Sequence, residues 1–148
     1  MWLRSPWSVS SGVALAAAAI LGLALFLFRP FGPPEAAGLA FRFVADLQNG
    51  RIDDAYQLTD KGGDVGTDLR VFAANEDVVF LRSSRHSVSL VSVRPAQSRA
   101  QRMMRIIRGA LVDPDVVYVN FHVGAPFLVR LRHTQRGWAV SYFEVHAE

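Results

Sequence analysis

The stretch Val117–Val145, VYVNFHVGAPFLVRLRHTQRGWAVSYFEV, decides the fold. Val117, Val119, Phe121 and Val123 alternate with Tyr118, Asn120 and His122, and Phe127, Val129 and Leu131 alternate with Arg130 and Arg132. A side-chain period of two puts one set on each face of a β-sheet, so the pattern predicts an antiparallel pair with one apolar and one solvated face. Gly124, Ala125 and Pro126 supply the first turn, Gln135, Arg136 and Gly137 the second, and Trp138–Val145 the last strand.

Upstream, His86–Pro95 has the same β-branched character, with Val88 and Leu90 expected on the face opposite Val91 and Val93, and Pro95 closing the strand. Before it the period becomes helical. Ala36, Leu39, Ala40, Phe43, Val44 and Leu47 form a stripe that stops at Asn49-Gly50, a left-handed stop signal. Ile52, Ala55, Tyr56 and Leu58 predict a second short helix ended by Gly62 and Gly63, and Thr67 is the expected cap of a third running through Leu69–Ala73. Between Pro95 and Asp113, Met103, Met104, Ile106, Ile107, Ala110 and Leu111 fit a helical stripe with Arg102, Arg105 and Arg108 pointing away.

The N-terminal segment reads as a membrane span. From Val9 to Phe28 there is no charge, a length that at 1.5 Å per residue matches a hydrocarbon core of ~30 Å. Trp2 and Trp7 precede it as interfacial residues, and Arg29-Pro30 ends it. The apolar run exceeds that of a cleaved secretory signal, which favours an uncleaved signal anchor. The predicted organisation is therefore a cytoplasmic N-terminus at 1–8, a transmembrane anchor at 9–29, a Pro/Gly linker at 30–34 and one globular domain at 35–148. The expected fold class is α+β: an N-terminal transmembrane helix, then helices packed on a curved, cone-like antiparallel sheet.

The chain has 148 residues and a net charge of +3, from 16 basic and 13 acidic side chains. The charge is polarised. Residues 35–77 carry nine acids against Arg42, Arg51, Lys61 and Arg70, whereas residues 78–148 are roughly +6. With no cysteine, disulfides, thiolate zinc sites and thiol catalysis are excluded.

FRFVADLQNGRIDDAYQLTD at 41–60 and RGWAVSYFEV at 136–145 resemble the nuclear transport factor 2-like superfamily. Asn49, Gly50, Ala55, Tyr56, Gly137 and Trp138 occupy places in which that superfamily has its first helix end, its second helix and its last strand. The resemblance implies a cone of helices over a bent sheet. It further implies a bacterial envelope setting behind an inner-membrane anchor, with the domain periplasmic, and an accessory or scaffold role. Other members of the superfamily are isomerases or cyclases resembling the SnoaL-like and ketosteroid-isomerase-like groups. This chain departs from the enzyme pattern because Val117, Val119, Phe121, Phe127, Val129 and Leu131, expected to face the cone, are all apolar.

His122, beside Tyr118 and Asn120, has no identifiable oriented second group and reads as a surface histidine rather than a general base. His86, His133 and His146 lack metal-ligand spacing, and no metal or cofactor is expected. Adjacent Asp53 and Asp54 point about 100° apart on a helix and read as first-turn charges. Asp46 and Tyr56 are the pocket candidates, since a buried acid beside a phenol is one way to polarise a carbonyl. Tyr118, Asn120, His122, Arg130 and Arg132, with Arg102 and Arg105, are the candidate partner-binding residues, arginine being enriched at protein interfaces. The clustered arginines lack the aromatic interleaving of single-strand binders, and no nucleic-acid partner is expected. The function these readings favour is a membrane-anchored, non-enzymatic protein that docks a partner in a membrane complex or a second copy of itself. The alternative is a lipid- or terpenoid-binding protein or isomerase built on the cone.

Overall fold

The computed structural model describes residues 7–28, 33–62, 64–96, 98–107 and 114–146. Its elements are α1 (Trp7–Phe28), α2 (Pro34–Gln48), α3 (Ile52–Gln57), α4 (Leu69–Ala73), α5 (Glu76–Ser83), β1 (Ser89–Pro95), α6 (Arg99–Ile107), β2 (Val116–His122), β3 (Pro126–Thr134) and β4 (Gly137–Val145). They fall into two compact units, Met1–Pro30 with Ser98–Leu111, and Phe31–Gln97 with Val112–Glu148.

The first unit contains α1 and α6. Among the described residues no helix is long and apolar enough to cross a membrane. That corrects the reading of 9–29 as a transmembrane signal anchor and, with it, the inner-membrane localisation with a periplasmic domain and the membrane-anchored part of the fold class. The described side chains of α1 run from residue 12 to residue 24. The other positions of the expected span, 9–11 and 25–29, lie outside the residues whose side chains are described. The helix expected over 97–111 is present as α6, while residues 108–111 lie outside the described residues.

The second unit is α+β. Its sheet is an antiparallel meander in the order β1-β2-β3-β4. α2 begins with Pro34 in its first turn and buries Ala36, Ala40, Phe43, Val44 and Leu47, the stripe that a 3.6-residue period lays along one face. This stripe packs against β2, β3 and β4. Gly50, at φ 73°, turns the chain sharply into α3. The third short helix, α4, is capped by Asp68, not Thr67: Asp68 Oδ1 accepts from the N–H groups of Arg70 at 2.8 Å and Val71 at 2.9 Å. α5 buries only Val78 and Leu81, too few positions for a periodic signal, and the sequence pattern did not predict it.

The centre of this unit is a set of rings. Phe43 lies 5.4 Å from Phe143 and 6.2 Å from Phe72, and Tyr56 lies 5.3 Å from Phe72, all tilted as aromatic quadrupoles prefer. Val117, Val119, Phe121, Phe127, Val129 and Leu131 join them, each essentially inaccessible. Two bulges set the faces. In β1 the register shifts between Leu90 and Ser92, so Leu90, itself half exposed, stands opposite the buried Phe121, and the partly buried Val93 opposite the buried Val119. The sequence pattern had placed Leu90 and Val93 on opposite faces; the extra residue, Val91, moves them to one. In β4, Arg130 pairs with Tyr142 and Leu131 with Val140, leaving Ser141 as the extra residue.

Both sheet edges are blunted. The Leu58–Asp60 segment lies along β4, with the Asp60 N–H donating to the Val140 carbonyl and the Val140 N–H to the Leu58 carbonyl, each at 2.9 Å. β1 carries a bulge and ends in Pro95, which has no N–H to offer a neighbouring strand.

Candidate functional site

The sheet face away from the helices collects most of the predicted interaction residues. Cross-strand register builds a row of Arg94, Tyr118, Arg130 and Tyr142, alternating cation and phenol. The adjacent row is Ser92, Asn120, Leu128 and Glu144. On the row's other side stand Val116, Arg132 and Ala139. Tyr118, Asn120, Arg130 and Arg132 are thus brought together, as strand parity predicts.

Arg130 is the fixed point of this face. Its Nη2 donates to Asp64 Oδ2 at 2.7 Å, its Nε to Ser141 Oγ at 3.1 Å, and its guanidinium lies 5.2 Å from the Tyr142 ring centre. The bulge at Ser141 is what brings that hydroxyl within reach of the guanidinium while Tyr142 stays outside. Tyr142 Oη donates to Glu144 Oε2 at 2.7 Å, which holds the phenol above its ordinary value near 10 by stabilising its protonated form. Asn120 Nδ2 donates to Ser92 Oγ at 3.0 Å. Tyr142 and Glu144 were missed at the sequence level, although they alternate with Phe143 and Val145; Asp64 carries no sequence signal, because the loop that delivers it is distant along the chain.

His122 continues the same alternation opposite Ser89 and Pro126, at the rim of this face. It sits at the end of β2 and borders a groove of about 600 Å³ whose walls include His86, His146 and Pro126. Gly124, at φ 74°, makes room there: a Cβ on it would lie 2.8 Å from His86 Nδ1. Among the described residues no group of three or more His, Cys, Asp or Glu side chains is placed to hold a metal ion. Arg102 and Arg105 lie on α6, and their side chains are outside the described residues.

The structure does not bring Asp46 and Tyr56 together as a pocket. The Asp46 carboxylate, 3% exposed, is held by Arg51 Nη2 at 2.5 Å with Arg42 Nε at 3.7 Å. The Tyr56 ring packs on Phe72, and Lys61 Nζ stands 5.5 Å from its centre. A second groove, of about 530 Å³, lies between the segment following α3 and the β3–β4 hairpin, and includes Lys61, Arg136 and Trp138. No family model, curated protein or solved structure matches this chain.

Proposed function

We propose that this chain is a non-enzymatic interaction module that presents the outer face of its sheet to a protein partner or to a second copy of itself. The observation that carries the proposal is the Arg94–Tyr118–Arg130–Tyr142 row, with Arg130 already locked by Asp64 and Ser141. Tyrosine and arginine are the side chains that concentrate binding energy at protein interfaces. A guanidinium fixed before docking loses little further freedom on binding. Leu128 and Val116 supply apolar area between the polar positions. The proposal includes a nuclear transport factor 2-like assignment. That assignment rests on the sequence signals at 41–60 and 136–145 and on helices packed against one face of a four-stranded antiparallel sheet.

The test places a photo-crosslinking residue at Leu128 and, as control, at exposed Asp53, in cells that make the chain naturally. Sedimentation of the purified chain first separates self-association from a foreign partner. The reading requires a discrete adduct from position 128 that is absent from position 53 and lost in Tyr118→Ala/Arg132→Glu. A monomer on sedimentation with no adduct specific to position 128 overturns it.

A further inference from the structure

The groove between the segment after α3 and the β3–β4 hairpin is amphipathic. Its apolar lining is Leu39, Leu58, Trp138 and Ala139, with Lys61 contributed by one wall and Arg136 by the other. The indole of Trp138 is steadied by His133, whose ring meets it at 5.1 Å and 78°. Among the described residues neither Lys61 nor Arg136 lies within ion-pair distance of an acid. The groove's own carboxylate, Asp60, spends Oδ1 on the N–H of Gly62 at 2.9 Å.

Lys61 is also the chain's only lysine and, among the described residues, the one non-glycine residue with positive φ, at 56°. A Cβ disfavours that conformation, and Gly62 stands one position away. The side chain carried at this strained position donates from Nζ to Gln57 Oε1 at 3.2 Å on the groove wall. Backbone strain retained where a cation borders an amphipathic groove is the pattern of a binding position. The groove's volume of about 530 Å³ suits a small ligand.

We infer that this groove binds a small organic anion with a flat apolar body, an aromatic carboxylate, whose ring lies against Trp138 and whose carboxylate sits between Lys61 and Arg136. Arginine offers a planar fork to a carboxylate and lysine a point charge, so the two cations fix the head while the indole takes the ring. This site goes beyond the partner-docking reading and uses none of Tyr118, Asn120 or Arg130.

The experiment is calorimetric titration of the full chain with 2-naphthoate and with its uncharged analogue 2-naphthalenemethanol. Saturable binding of naphthoate is expected, about tenfold or more tighter than the alcohol. Lys61→Met and Arg136→Gln are each expected to weaken naphthoate about tenfold, and Trp138→Leu to weaken both probes. Lys61→Gly, which relieves the backbone, controls for folding and is expected to keep the native circular dichroism spectrum while losing affinity. Tyr118→Ala/Arg132→Glu is expected to leave naphthoate binding unchanged, so that failure of the docking reading and failure of this one are distinguishable. Equal affinity for acid and alcohol, retained affinity in folded Lys61→Gly, or no saturation at millimolar naphthoate overturns the inference.

Discussion

Arg51 holds Asp46 twice: its main-chain N–H donates to the Asp46 carbonyl at 2.8 Å, and its guanidinium reaches the carboxylate of the same residue at 2.5 Å. Asp46 lies near the C-terminal end of α2, where the helix's own partial negative charge opposes a carboxylate. It is nonetheless buried, and among the described residues its Oδ2 has no hydrogen-bond partner. The arginine beyond the turn offsets both penalties and ties α2 to α3 across Asn49-Gly50.

The pair is therefore expected to behave as a coupled unit. Arg51→Met leaves a buried carboxylate with only Arg42 nearby and is expected to lower unfolding free energy by about 1–3 kcal/mol, a range discounted because Arg51 is half exposed. Asp46→Asn/Arg51→Met is expected to lose less than the sum of the single changes in urea unfolding. Strict additivity would show that the contact carries no energy.

How far the sequence could be read follows from which interactions are periodic. The α2 stripe and the alternation of β2 and β3 were legible because burial repeats at 3.6 and 2 residues, and that alternation also located Tyr118, Asn120, Arg130 and Arg132 on one face. The bulges at Val91 and Ser141 were not legible: one inserted residue reverses parity beyond it without changing composition. α5 was missed because two buried residues make no pattern. The Asp64–Arg130 contact spans 66 positions, a relation no local window contains. Apolar length at 9–29 was visible, whereas a span among described residues was not found.

Phe72 joins α4 to the core, with its ring 5.3 Å from Tyr56, 5.8 Å from Phe143 and 6.2 Å from Phe43. Phe72→Ala is expected to lose about 3–5 kcal/mol, the transfer loss plus an unfilled cavity. Phe72→Leu, which keeps most of the volume, is expected to lose well under half of that. Denaturant midpoints for the two variants check the ordering.

Lys61→Gly is expected to stabilise the fold by about 0.5–1 kcal/mol in thermal or urea unfolding, because the left-handed conformation disfavours any Cβ. The groove lysine would then be a stability deficit maintained in the native chain. Lys61→Ala keeps the Cβ and is expected to give no such gain. A loss of stability in Lys61→Gly would mean that the Gln57 contact outweighs the backbone strain.

The Asp77 carboxyl is pushed above its ordinary value near 3.8, chiefly by burial, with Glu144 and Glu76 adding to the shift and the Val145 N–H and His146 opposing it. A carboxyl raised in the folded state binds its proton more tightly there than in the unfolded chain. Its contribution to stability is therefore full below 3.8 and is lost as pH rises through the raised value, becoming flat beyond it. Asp77→Asn retains an oxygen to accept from the Val145 N–H, a bond of 3.2 Å in the native chain, and removes the ionisation. The variant is accordingly expected to match or exceed the parent in melting temperature at pH 7, with the difference shrinking toward pH 3. Asp77 also lies in the first turn of α5, where a negative charge is favoured, so the comparison decides which effect dominates. A variant less stable than the parent at pH 7, with the deficit vanishing in acid, would mean that the helix terminus outweighs the burial.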